Sequence, residues 1–159
     1  MSENSRANHE QSSHQQLPNA GLLRRVAALI YDGLLIVALW MVVGFIALGV
    51  NGGDIVEGLL PRGLLYLACI ATAFAFYWKF WRDGGQTAGM RAWRLQLKTL
   101  NQHPPTHSQC LRRFGVAFFT LGLGTLWMLV DRDGLTLQDR ASLTKVVLTP
   151  KLKKPSRPQ

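Results

Sequence analysis

One acidic residue stands inside the longest apolar run of the sequence. Val26 to Val50 reads VAALIYDGLLIVALWMVVGFIALGV, and Asp32 is its one charge. An acid about six residues into a helix lies roughly 9 Å from its start. At the bilayer centre an Asp costs about 2.5–3.5 kcal/mol, and less near an interface, so something must compensate for it. Two chemistries meet that need. A carboxylate in a desolvated polar pocket can bind a proton or a small cation, which is the equipment of an exchanger. Alternatively, a basic partner neutralises it and the buried pair fixes helix register. Arg25 lies two turns earlier on the same face, close enough for a snorkelling side chain to approach but not easily to meet Asp32 alone. Arg112 or Arg113, at the entrance to a later apolar block, is the other candidate partner. Both chemistries stay open at the level of sequence.

Other chemistry has little to work with. No Ser-His-Asp set, nucleotide-binding glycine loop or pair of catalytic carboxylates assembles in a plausible order, so no catalytic residue and no cofactor is expected. Cys69 sits in an apolar run and Cys110 in a basic one, and neither a disulfide framework nor a CxxC metal site can be built from two such thiols. His103 and His107 flank two prolines with no further ligand beside them, and they read as a surface loop. Asp131-Arg132-Asp133-Gly134 lacks the later ligands of a calcium loop and reads as a turn, so no metal site is expected. The net charge of +9 could serve nucleic acid. Its distribution argues otherwise, because Lys and Arg flank hydrophobic blocks as membrane proteins place them.

The elements that must position Asp32 follow from hydropathy. With 159 residues the chain has room for one compact domain or a small bundle of membrane helices. Residues 1–21 form a polar stretch expected to be disordered, and the apolar block after it is too long for a signal-peptide core. Spans are predicted over about 26–50 and 60–78, since roughly 20 apolar residues cross the hydrocarbon. The short turn-rich NGGDIVEGLLPR between them forces an antiparallel return. The second span ends in Tyr77, Trp78, Phe80 and Trp81 beside Lys79 and Arg82, as at a headgroup boundary. Ala68 with Thr72 and Ala71 with Ala75 offer small faces for a neighbouring helix.

The third apolar block, 114–130, is interrupted by Gly115, Gly122 and Gly124 and is either a short span or a Gly-broken hairpin. Lys and Arg number three before the first span, one in the first loop, seven over 79–113 and seven over 131–159. A full crossing leaves ten on one side and eight on the other, whereas a hairpin leaves seventeen and one. The positive-inside rule favours the hairpin, with both termini cytoplasmic, although bent backbone in the membrane must then be covered by protein. Trp93, Leu95 and Leu97 alternate with Arg94, Gln96 and Lys98, the period of a strand, and TKVVLT over 144–149 reads as a second. The two can pair only on one side of the membrane. Residues 87–100 equally fit an amphipathic interfacial helix with Met90, Trp93, Leu97 and Leu100 toward lipid.

Arg25-x-x-Ala28-x-x-x-Asp32, GGQTAGMR over 84–91, the pair Arg112 and Arg113, and LQDRASLT over 137–144 followed by two valines together resemble the RDD family. That family comprises small bacterial membrane proteins named for an arginine and two aspartates. The resemblance covers about Leu23 to Leu148 in order and approximate spacing. It implies that Arg25, Asp32 and Asp139 are signature residues and that Gly85, Gln86, Thr87 and Gly89 form the family's cytoplasmic turn. Departures are present: the family usually has GQTPGK where this chain has Ala88 and Met90, and LHD where it has Gln138. It also has a glycine before the final Thr, where this chain has Leu143. Transport in general, and cation/proton exchange for some members, is what the resemblance implies. Asp32 is then the ion or proton site, in a polar pocket that Arg25 and Asp139 help to form, and Arg113 is a further transport or ion-pair candidate.

The sequence thus predicts an all-α membrane protein of the bacterial inner membrane. It has two full transmembrane helices, a third Gly-broken hydrophobic segment (hairpin or short span) and a small cytoplasmic amphipathic or β element. The membrane domain occupies 22–149, and 150–159 forms a basic disordered tail drawn to anionic lipid headgroups. The expected partners are the lipid bilayer, further copies in a homo-oligomer and another membrane protein, with no nucleic acid. A non-transporting protein that binds and regulates a membrane partner is the alternative function.

Overall fold

The structure is a computed structural model and describes residues 19–149 apart from Gln102. Helix α1 (Leu22–Val50) has 29 residues and α2 (Leu59–Arg82) has 24. At 1.5 Å per residue these measure about 43 and 36 Å, more than the roughly 30 Å of hydrocarbon in a bilayer. Both are long and apolar enough to cross a membrane. They extend beyond the expected spans because Arg24, Arg25, Lys79 and Arg82 are good helix formers whose long stems cover apolar surface while their charges reach polar ground. The connection turns through Gly52, Gly53 and Gly58 at φ 71°, 94° and 88°, a region open to glycine at little cost. Halfway along the hairpin the Trp40 indole Nε1 donates to the carbonyl of Cys69 at 2.8 Å. Most other apolar side chains of the two helices stay exposed, such as Leu34, Phe45 and Leu64, as a lipid-facing surface requires.

Everything after α2 packs on the half of the hairpin where α1 begins. The elements there are α3 (Ala88–Ala92), β1 (Leu95–Thr99), α4 (His107–Phe119), a 3-10 helix (Leu123–Leu129), α5 (Leu137–Ser142) and β2 (Thr144–Leu148). The two strand readings hold and the strands pair antiparallel, Leu95 opposite Leu148 and Leu97 opposite Val146. The helix reading of 87–100 holds only for α3. Arg94, at φ 56°, breaks the backbone, and the period of two then buries Leu95 and Leu97 at 1% and 2% exposure. Asn19 and Ala20, expected in the disordered tail, instead extend this small sheet. Asn19 bridges Val147 and the Ala20 amide donates to the Val146 carbonyl at 3.1 Å. The remainder of both tails lies outside the described residues.

The third apolar block is not one continuous helix. Helix α4 starts well before it at His107, where Thr106 and Gln109 form a capping box that satisfies two otherwise orphaned amides. The helix stops at Phe119, and Leu121 (φ 49°) with Gly122 (φ 78°) turns the chain into the 3-10 helix. Gly115 lies inside α4, so of the three glycines Gly122 makes the break. Around the turn Phe119, Leu121, Leu123 and Val130 are exposed.

The cap is pinned to the hairpin by apolar packing as well as by polar bonds. Ala20, Ala28, Trp81, Met90, Leu95, Leu97, Cys110 and Val146 form its core. Phe114 of α4 stands edge-on to Phe74 of α2, with ring centroids 5.3 Å apart, and Trp78 donates to His107 Nδ1 at 3.0 Å. Cys69 and Cys110 are both free thiols.

Candidate functional site

Asp32 lies one helical turn above Ala28 on the buried face of α1, at 2% exposure. Thr87 Oγ1 donates to its Oδ2 at 2.5 Å and the Gly89 amide donates to its Oδ1 at 2.9 Å. Thr87 also caps α3 by accepting the Met90 amide at 3.2 Å. Glycine is required at position 89 by close approach: a Cβ there would press on the Ala28 carbonyl and stand 3.0 Å from Asp32 Oδ1. Among the described residues Asp32 therefore receives two neutral donors and no ion pair. The expected partners are elsewhere, with Arg112 exposed and Arg25 and Arg113 bonded to Asp139. The buried ion pair foreseen for Asp32 does not form.

The other turn residues tie the cap together. Gly85, at φ 70°, sits so close to β1 that its carbonyl accepts the Leu97 amide at 2.7 Å, and a side chain would run into the Leu97 carbonyl. Gln86 Nε2 donates to the Leu95 carbonyl at 2.7 Å and to Thr149 Oγ1 at 3.2 Å, linking β1 to the end of β2.

Asp139 is held in the opposite manner. Arg25 Nη1 donates to its Oδ2 and Arg113 Nη1 to its Oδ1, both at 2.5 Å, and the Thr136 amide adds a third bond at 3.2 Å. Arg25 reaches three elements at once, since its Nε donates to the Ala20 carbonyl at 3.0 Å and its Nη2 to the Val146 carbonyl at 3.1 Å. Arg113 Nη1 also donates to Thr144 Oγ1 at 2.9 Å, and its guanidinium lies 5.5 Å from the Trp81 ring centroid, a cation–π distance. Burial by itself would push the Asp139 carboxyl up. The guanidiniums of Arg113 and Arg25 outweigh it and hold the group below the ordinary carboxylate range.

Asp32, Arg25 and Arg113 line one small cavity of about 60 Å³, with Tyr77, Thr125 and Gln138 on its other walls. Two guanidiniums face one carboxylate at Asp139, so with Asp32 ionised the four buried groups sum to zero. The cavity has room for a few water molecules, each needing about 10–15 Å³ of such space. Gln138 Nε2 donates to Thr125 Oγ1 at 2.9 Å, while its Oε1 has no partner among the described residues.

The sequence pointed to Arg25, Asp32, Arg113 and Asp139 and not to the residues that support them. Thr125, Thr136, Gln138 and Thr144 line or brace the site, and one of them carried a readable signal. Thr136-x-x-Asp139 has the spacing of a capping box, and the structure forms one, with Thr136 Oγ1 accepting the Asp139 amide at 3.2 Å. Among the described residues no cluster of three or more His, Cys, Asp or Glu forms. Asp131 and Asp133 instead flank Arg140 in a surface turn, at 2.6 and 2.9 Å.

No curated protein and no solved structure matches the sequence. The RDD family model matches residues 19–142, a stretch that includes Arg25, Asp32, Asp139 and the turn from Gly85 to Gly89. With two helices fit to cross a bilayer and that match over most of its length, the chain is a membrane protein belonging to the RDD family.

Proposed function

We propose that the protein is a small exchanger of the bacterial inner membrane that takes up and releases a proton or small cation at Asp32. One observation carries this reading: Asp32 is 2% exposed within a helix fit to span the bilayer, and among the described residues its bonds come from neutral donors. A carboxylate so placed gains from any mobile positive charge. The Arg25–Asp139–Arg113 clamp beside it carries one surplus positive charge, which keeps a bound cation weak enough to leave, as turnover demands. Two spanning helices enclose no pathway alone, so the working unit is an oligomer joined through exposed faces of α1 and α2.

The topology proposed with it has both termini in the cytoplasm, and residues 114–130 enter the membrane and return. The β1–β2 pairing and the Arg25–Asp139 bond support this, since they join the start of α1, the chain after α2 and the chain after the block. Exposed Arg91, Arg94, Arg112 and Arg132 then meet anionic headgroups. Reporters fused after Lys98 and at the carboxyl terminus should both signal cytoplasm.

The test of exchange is proton flux into liposomes driven in turn by sodium, potassium and lithium gradients. Wild type should show flux with at least one ion and Asp32→Asn none. Asn can keep both contacts, accepting from Gly89 and donating to Thr87 Oγ1, so loss of flux would not reflect loss of fold. A second reading, a non-transporting protein that binds and regulates a membrane partner, is favoured by the engagement of the signature residues in tying the cap to the hairpin. Absence of flux with all three ions, with the partner still bound by Asp32→Asn, would establish it instead.

A further inference from the structure

Above the small polar cavity the hairpin opens into an apolar cleft of about 280 Å³ between α1, α2 and α4. Leu29, Ile36, Trp40, Ile70, Phe114 and Phe118 line it, and Arg113 and Gln138 close its lower end. From Leu29 to Trp40 along α1 the cleft runs about 16 Å, the depth of one leaflet in a hydrocarbon core of roughly 30 Å. Its polar end is the end bearing the cap. Arg113 is 7% exposed and, among the described residues, bonds Asp139 and Thr144 through Nη1 alone. Its Nε and Nη2 take no part in those bonds, and Arg113 is one of the residues lining the cleft. A long apolar slot ending in two parallel guanidinium N–H groups is complementary to one alkyl chain ending in a planar anion, because Arg grips a carboxylate bidentately.

We propose that this cleft binds a long-chain fatty acid, its chain lying along α1 toward Trp40 and its carboxylate on Nε and Nη2 of Arg113. A fatty acid suits the space better than a phospholipid, since its compact carboxylate matches one guanidinium edge and it brings no second chain or glycerol headgroup. The inference does not rest on ion exchange at Asp32, because its readout is binding and not flux. Charge bookkeeping links the two sites nonetheless. The buried tetrad is neutral with Asp32 ionised, so replacing Asp32 by Asn leaves a surplus positive charge that the carboxylate would fill.

The test uses the full-length protein in nanodiscs of zwitterionic phosphatidylcholine. Hexadecanoate carrying a bromine quencher at mid-chain is titrated while tryptophan fluorescence is read. Wild type should be quenched saturably, and the matching brominated hexadecanol should bind about tenfold more weakly or worse. Trp40→Phe should reduce the quenching and leave a remainder from Trp81, which also lines the cleft. Ala117→Phe, which fills the cleft while leaving every polar contact in place, should abolish it with the thermal transition unchanged. Asp32→Asn should tighten binding severalfold. Equal binding of acid and alcohol, quenching indifferent to Ala117→Phe, or displacement of the acid by a stoichiometric phospholipid would each overturn the proposal. Arg113→Gln is the direct variant, and should it fail to fold, the alcohol and Ala117→Phe still decide.

Discussion

Asp139 and Asp32 are buried equally well, at 1% and 2% exposure, yet their carboxylates are held in opposite ways. Asp139 takes two charged donors at 2.5 Å and the bond of a capping box. Its carboxylate joins α1, α4 and α5, and through Arg25 the sheet. Asp32 takes one hydroxyl and one amide. Paired charge in a low dielectric is fixed charge, because removing either partner strands the other. A carboxylate on neutral donors can gain or lose a proton while its neighbours stay bonded to one another. The first arrangement makes a joint, and the second is the one that the proposed exchange at Asp32 requires.

The largest effect should come from breaking the joint. Asp139→Ala leaves two guanidiniums buried without their counter-charge, and about 3–5 kcal/mol of stability should be lost. Thermal unfolding in detergent, or trypsin cleavage of the cap, would register it, and a near-neutral result would mean the clamp is not structural. Gly89→Val attacks the seat of Asp32 by steric means. The new side chain must displace α3 from the Ala28 carbonyl, at about 1–3 kcal/mol, and the cap should loosen without release of Asp139. Acid should separate the two carboxylates. The Asp139 carboxyl is held below its ordinary range, so its contribution to stability is present above the unfolded value of about 3.9 and lost as pH falls through the lowered folded value. Cap unfolding followed by hydrogen exchange should therefore steepen below about pH 4 in wild type. Least of all, Leu143→Gly should stabilise. Leu143 caps α5 at φ 53°, a conformation that costs a non-glycine about 1–2 kcal/mol, partly offset by the greater freedom glycine has when unfolded. A gain of about 0.5 kcal/mol or slightly more in unfolding free energy is expected, read as a raised melting midpoint.

These features differ in how far the sequence discloses them. Helices α1 and α2 are plain in it because a bilayer-length apolar run has few other uses. The paired strands are readable too, through the alternation around Leu95 and Leu97 and the β-branched Thr144–Leu148. The turn of the third block is half-readable: its three glycines announce a break, but only packing decides that Gly122 makes it. The partners of Asp32 are not readable, because the donors are a common hydroxyl and a backbone amide 55 and 57 residues away, and no residue type advertises an amide. Charge logic pointed to arginine and was misled, since both buried arginines have a better partner in Asp139. Leu143 shows the reverse. The family's glycine at that position becomes intelligible once its left-handed backbone is seen.

The central claim is that Asp32 changes protonation while Asp139 does not. Difference infrared spectroscopy of the reconstituted protein, with sodium, potassium and lithium each added and withdrawn, reads protonated carboxyl groups directly. The account predicts a carboxyl band that appears when the active cation is withdrawn, vanishes in Asp32→Asn, and involves no second acid. A spectrum without such a band for any of the three ions, or one retained in Asp32→Asn, would contradict it.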